Sequence, residues 1–517
     1  MLGFKYELYP VETKVKDKNH PTKTMQLDLL LPHEMAHVLF CLDPDRFRDI
    51  FQVRKLQSFW EKTIAIGEPW LKLHPLYNEL CQAEDKSTYL AILVFGDDGC
   101  MKKRRMVHVL TWYSALYTEY QHLHSRFPAY MLPGQILIGD VTEPDLQEAF
   151  AWSLNVWIKG VFPRYNHRGE RFPSNSFRAK LAEAETRICG GYTAIYTGTV
   201  GDQTWIKQHY RYEHMWSNVQ ICPFCVAENA PGPRNFTSGV DLPLRSHESY
   251  MESAGARLSP LTRIAGFHNS LTRPELMHVG PLGCMPDHCG SALVELCESN
   301  CFGFSDIADW QTRMDSQLKV AFIEFNDWAR SAHESHSLNR FTRARLAMTS
   351  KSSSWPQFKT KAHNLIVVSR WLAKACKDHH DGSRYSAVRA QVLEAWALMF
   401  DVASKTEEPD FHNEVELRRF NIACKLVLHG SNALAVANHR SRKARWKTRP
   451  KLHLIHHINS NAQISKRVVR AFWSFKEEEG MGKLARIAVA VHGACVAKRS
   501  LQRWCVQFFN ASLDRTA

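Results

Sequence analysis

The chain has 517 residues, 44% of them hydrophobic and 11% aromatic, which is enough apolar material for packed cores and excludes a disordered or fibrous protein. Lys and Arg number 66 against 52 Asp and Glu, a formal charge of +14 that favours a polyanionic partner, nucleic acid before membrane. The N-terminus MLGFKYELYP lacks an apolar signal region, and no stretch of about 18 apolar residues exists, so a non-membrane, intracellular chain is expected. In such a compartment the 14 cysteines would stay thiols or serve as metal ligands.

Residues 1–88 read as an N-terminal region with helical patches such as 45–64. The apolar run Tyr89–Phe95, stopped by Gly96-Asp97-Asp98-Gly99, reads as a buried strand followed by a turn. Gln135–Ile138, before Gly139-Asp140, reads as a second strand. Pro144 suits a first helical turn, and Asp145–Val161 carries apolar residues at helical spacing. Tyr192–Val200 is rich in β-formers and closes on Gly201-Asp202. Residues 222–302 look loop-like and cysteine-bearing. Residues 305–435 look helical, broken by polar Thr349–Pro356, and 466–510 return to helical periodicity. The expected division is 1–88, an N-terminal region; 89–220, the first part of an α/β core; 221–440, a zinc-knuckle-like segment and helical insertion; and 441–517, a basic linker and closing helices.

Four clusters carry candidate chemistry. Asp97 or Asp98 follows the first strand, Asp202 follows the third, and Glu477-Glu478-Glu479 precedes a late helix. Carboxylates at the ends of adjacent strands, with one from a helix, can hold two Mg²⁺ or Mn²⁺ ions for phosphodiester chemistry. Each alone has an ordinary reading, a turn Asp or a solvated Glu face. Cys222-Pro-Phe-Cys225 supplies two ligands for tetrahedral zinc, with His214 and His278 as leading candidates for the other two. His33-Glu34-Met35-Ala36-His37 matches the HExxH pattern of zinc peptidases, but Pro32 puts His33 at a helix start and no third ligand motif follows. Arg440, Arg442, Lys443, Arg445, Lys447, Arg449 and Lys451, with Trp446 among them, could track a phosphate backbone and stack on a base. The cluster also fits a nuclear address, with the cytoplasm left open. Lys102-Lys-Arg-Arg105 is a second basic run.

The order of these motifs resembles transposase-like proteins of the CACTA and Plavaka kind, a divergent mobile-element-derived family. The matching pieces are Phe95-Gly-Asp-Asp-Gly99, Gly198-Thr-Val-Gly-Asp202, Trp216 with Ile221-Cys-Pro-Phe-Cys225, Gly266-Phe-His268, Pro274-Glu-Leu-Met-His278, Arg449-Pro-Lys-Leu-His453 and the acids at 477–479. The resemblance covers about residues 89–505. It implies an RNase H-like core, a mixed sheet with flanking helices, interrupted by a large, mostly helical insertion. It also implies a two-metal acidic site of Asp97 (or Asp98), Asp202 and Glu478. Glu275 stands where the family carries Asp or Cys, and Leu452 where it carries an aromatic. The implied activity is DNA cleavage and strand transfer on a DNA partner, compatible with a homo-oligomer. A catalytically silent DNA-binding derivative is the alternative, and an HExxH peptidase a distant third.

Overall fold

The computed structural model describes residues 7–17, 21–100, 105–116, 122–237, 241–348, 355–492 and 495–513. Lys102–Arg104 of the second basic run and 349–354 of the polar break lie outside these. The chain forms two compact units. Unit 1 joins Met1–Glu213, Ser246–Arg273 and Ser474–Ala517; unit 2 joins His214–Arg245 and Pro274–Trp473. Residues 1–88 therefore belong with the sheet, and the basic segment at 440–451 lies inside unit 2, so the core closes only from Ser474.

Unit 1 opens with a hairpin, β1 (Tyr9–Val15) and β2 (Lys23–Leu29). Alternate residues Tyr9, Val11, Thr13 and Val15 are buried, the period of a strand with one dry face. Helices α1 (Pro32–Leu42) and α2 (Val53–Ile66) follow. The main sheet comprises β3 (Tyr89–Cys100), β4 (Met106–Ser114), β5 (Arg126–Pro133) and β6 (Thr193–Val200), in the order β5-β4-β3-β6. β3 pairs antiparallel with β4, and β4 antiparallel with β5. Helix α3 (Thr142–Lys159) lies on the long connection that brings β6 back parallel to β3. The first seven residues of β3 are all buried, as a strand covered on both faces requires.

Three expectations need correction here. Gly96–Gly99 is not a turn: it continues β3, because Met106–Leu110 of β4 supplies its backbone partners. The second strand is Arg126–Pro133, and Gly134–Ile136 is a 3₁₀ turn. Pro128 and Pro133 disguise that strand, but β5 is the edge of the sheet, where Pro costs no ladder bond. β4 itself was not anticipated.

Helix α4 (Gln203–Tyr210) follows β6. A Cβ on Gly96 would fall 1.8 Å from a Trp205 ring carbon, so α4 lies directly on β3 and only glycine fits there.

In unit 2, α5 (Met285–Glu298) is buried on nearly all sides. It packs with α6 (Trp310–Ser331), α7 (Ala362–Asp378) and α8 (Arg384–Ser404); α9 (Glu414–Arg440) lies on α8, and α10 (Leu454–Ser465) on α9. The buried positions of α5 include the polar Asp287, His288, Ser291 and Glu295, so no clean apolar stripe marks it, which is why 285–298 reads as loop in the sequence. Cys284, Cys289, Cys297, Cys376 and Cys424 are buried thiols of this helical unit.

The chain returns to unit 1 with α11 (Phe475–Val489), packed on β3 and β4, and α12 (Val496–Leu513), packed on β5 and β2. A Cβ on Gly99 would lie 3.2 Å from Met481 of α11. Gly96 and Gly99 face opposite ways on a pleated strand, so α4 and α11 cover opposite faces of β3.

Candidate metal centre and acidic strand ends

Unit 2 holds a buried group of four ligands: Cys222, Cys225, His453 and His457, with ligand atoms all within 4.8 Å of one another. The Cys222–Cys225 turn presents two sulfurs. His453 and His457, one helical turn apart at the start of α10, present two nitrogens on one face. Cys222 Sγ lies 3.2 Å from His457 Nε2, Cys225 Sγ 3.1 Å from His453 Nε2, and the two Nε2 atoms 3.1 Å apart. Zinc bonds of about 2.0–2.3 Å set tetrahedral ligand separations of about 3.3–3.8 Å, so small outward shifts would seat the ion.

The surroundings brace the turn. The Phe224 amide donates to Cys222 Sγ at 3.3 Å. Arg245 Nε donates to the Cys225 carbonyl at 3.0 Å, and its Nη2 to Gln220 Oε1 at 2.8 Å. The Cys222 thiol, with His453 and His457, holds Cys225 far below the usual thiol range against the opposing effect of burial, while burial pushes Cys222 up. A buried Cys₂His₂ set can hold a metal such as zinc.

The second ligand pair is thus His453 and His457, correcting His214 and His278. Glu275 caps the short helix after it, accepting from the Met277 amide at 2.8 Å and the His278 amide at 2.5 Å, and its carboxylate also holds the His278 ring. His214 is outside the ligand group. The signal missed was the HxxxH spacing at 453–457, which a zinc reading of the CxxC could have sought.

In unit 1 the acids sit at one end of the sheet. Phe95 pairs with Val200, the last residue of β6, and Asp97 and Asp202 each lie two residues further on. Asp97 shares its strand face with Gly99, hence with α11; Asp98 points the other way. Asp202 caps α4, accepting from the Trp205 amide at 2.5 Å. The Glu triplet divides by role. Glu477 is buried against Arg126 at 3.0 Å, Glu478 is half-buried, and Glu479 pairs with Lys483 at 2.8 Å. Asp97, Asp202 and Glu478 do not form a group with ligand atoms within 4.8 Å of one another.

Asp98 belongs to a different network. It lies opposite His108 in the ladder, with Oδ1 2.9 Å from His108 Nδ1; Glu143 Oε2 of α3 is 3.4 Å from the same nitrogen. Glu143 Oε1 reaches to 3.9 Å from His209 Nε2 of α4, and His209 Nδ1 meets Gln147 at 2.7 Å. Burial alone would lower the His108 pKa, but Asp98 and Glu143 outweigh it and hold it up to about 10. A histidine raised in the folded state stabilises fully below its unfolded pKa of about 6.5, and that stability is lost as pH rises through the folded value. Denaturant stability should therefore fall between about pH 7 and 10. His108→Gln should flatten that decline, as urea unfolding at pH 6, 8 and 10 would measure.

The HExxH residues are structural. His33 Nδ1 meets Ser153 Oγ at 2.7 Å, Glu34 pairs with Arg178 at 2.6 Å, and His37 Nδ1 accepts the Cys189 amide at 3.0 Å. Each ties α1 to a different neighbour, and they form no ligand group.

The basic segment is partly consumed within unit 2. Trp446 is fully buried and donates to Glu295 at 2.8 Å, so it cannot stack on a base. Arg445 is buried against Glu298 at 2.6 Å, Arg449 pairs with Asp287, and Lys451 lies 5.1 Å over the Trp216 ring. Arg440, Arg442 and Lys443 are exposed, and Lys447 half-exposed. Among the described residues no helix is long and apolar enough to cross a membrane.

No family model matches the chain, and a search of the curated proteins finds no match either.

Proposed function

We propose that the chain is a transposase-like DNA nuclease and strand transferase with an RNase H-like core in unit 1. One observation carries this reading. The parallel β3–β6 pairing ends at Phe95–Val200, Asp97 (still within β3) and Asp202 each lie two residues beyond that pair, and the late helix α11 bearing Glu478 packs on β3. Two Mg²⁺ or Mn²⁺ ions, when bound, would activate a water or 3′-hydroxyl and stabilise the leaving oxygen. Asp97, Asp202 and Glu478 would hold them, converging once metal and DNA are present. Asp98, engaged with His108, is the weaker choice for the first acid.

Phosphates have basic surface available in each unit. In unit 1 an open groove of about 360 Å³ between α11 and α12 is lined by Lys483, Arg486 and Arg503. In unit 2 Arg440, Arg442 and Lys443 remain exposed. A nuclear location accords with this reading. The separation of the three carboxylates favours a second reading, a DNA-binding protein that has lost its chemistry.

One assay separates them. Labelled duplex DNA incubated with Mg²⁺ or Mn²⁺ should be cleaved by the wild type and not by Asp202→Asn, with DNA affinity retained. Salt-sensitive binding without cleavage by the wild type would leave the second reading standing and remove the first.

A further inference from the structure

We propose that the outer face of α9 is a docking surface for a partner's acidic amphipathic helix. This inference is independent of the nuclease reading. Helix α9 runs 27 residues and is fixed at its start by a capping box of Asn413 and Glu416. Its inner face buries Leu417, Phe420, Cys424, Val427 and Leu434. Its outer face carries a second apolar stripe. Positions 415, 419, 422, 426, 429, 433, 436 and 440 alternate steps of four and three, the seam spacing of a two-helix coil, and all eight are exposed. Five are apolar: Val415, Ile422, Leu426, Ala433 and Val436. Val415 is 62% exposed and Ile422 49%. Apolar side chains held outward through about six turns of a well-packed helix mark an interaction face.

Charge selects the occupant. The outward cations are Arg418, Arg419, Lys425 and Arg440, joined by His429 and His439, while the one exposed acid of this helix is Glu414, paired with Lys466 at 2.6 Å. A second copy would set like charge against like charge along the seam. Bare phosphate would leave Ile422 and Leu426 in water. An apolar seam flanked by Glu and Asp satisfies both features, since seam knobs supply affinity and flanking charges choose the partner.

The test uses the full chain and two labelled 28-residue peptides with the same Ile/Leu seam, one with Glu and one with Lys at the flanking positions. Fluorescence anisotropy should show micromolar, salt-weakened binding of the Glu peptide and at least tenfold weaker binding of the Lys peptide. The double variant Ile422→Glu/Leu426→Glu should lose at least tenfold in affinity with an unchanged thermal melt. Arg418→Glu/Lys425→Glu keeps the seam and should reverse the peptide preference. Equal affinity for the two peptides, or affinity indifferent to both variants, overturns the proposal. So does self-association in sedimentation, or binding to duplex DNA or anionic vesicles, that the Ile422/Leu426 variant abolishes while Glu-peptide binding is absent.

Discussion

Cys222→Ser should leave the chain without its zinc and cost unit 2 about 3 kcal/mol or more. Metal analysis of the purified wild type should find about one zinc per chain, and the variant close to none. The reason lies in the donor set. Two sulfurs and two nitrogens from turns more than 200 residues apart in sequence meet within 4.8 Å. Without an ion, a buried thiol pair and two facing imidazoles are held against one another, with the Phe224 amide donating to Cys222 Sγ. Apparent binding energies of structural zinc in small fingers reach about 10–16 kcal/mol, and a larger unit with its own core should lose a fraction of that. His453→Ala and His457→Ala should behave like Cys222→Ser, whereas His214→Ala and His278→Ala should retain the metal. Zinc content unchanged in Cys222→Ser would refute the site. Chelation should lower the melting temperature of the wild type alone, and release should grow easier as pH falls, because the ligands must be deprotonated to bind.

Adjacent glutamates of α11 should give opposite phenotypes. Glu477→Ala is expected to destabilise by about 3–5 kcal/mol, because it strands Arg126 in the core. Arg126 and Glu477 are both buried, their charged atoms 3.0 Å apart, and the guanidinium also stacks on Tyr113 and donates to Ser125. The pair ties α11 to β5. The double variant Arg126→Met/Glu477→Leu should recover much of the loss, since an apolar pair of similar volume avoids desolvating two charges. Glu478→Gln, which keeps the size of the half-buried side chain, should destabilise far less than Glu477→Ala and, under the proposed function, abolish cleavage. Urea unfolding beside the cleavage assay reads both. If Glu477→Ala is as stable as the wild type, the buried ion pair is not what holds α11.

The parts of the fold legible in the sequence are those where local pattern and tertiary role agree. Tyr89–Phe95 is an apolar run because β3 is central and covered on both faces, and Thr193–Val200, though at the sheet's edge, is rich in β-formers and buried from Ala194 onward. Thr142–Lys159 is amphipathic because it lies on the sheet with one side wet. The pattern fails where burial is complete or chemistry is borrowed. Helix α5 hides because it buries Asp287, His288, Ser291 and Glu295 along with its apolar residues, and β5 because an edge strand tolerates two prolines. At the metal centre the CxxC was legible and its histidines were not. Nothing local links 222–225 to 453–457; only the folding of unit 2 brings them together. The basic segment misled for the converse reason: Arg445, Trp446 and Arg449 look solvated in sequence, yet Glu298, Glu295 and Asp287 claim them.

The discontinuity of unit 1 dictates an order of assembly during synthesis. One side of β3 is covered by α11, and β5 and β2 by α12, both from the segment Ser474–Ala517. The ribosome must first make Pro274–Trp473, about 200 residues, which at about 5–20 residues per second leaves the nascent sheet half-covered for ten seconds or more. Throughout that interval Phe127 has to wait for its final neighbours Trp504 and Phe508, and the part of β4 that α11 covers has to wait for that helix, unless a chaperone shields them both. A chain cut short after Trp473 would carry unit 2 attached to an aggregation-prone half-sheet, so the codons for Ser474–Ala517 weigh more in the yield of folded protein than their number suggests.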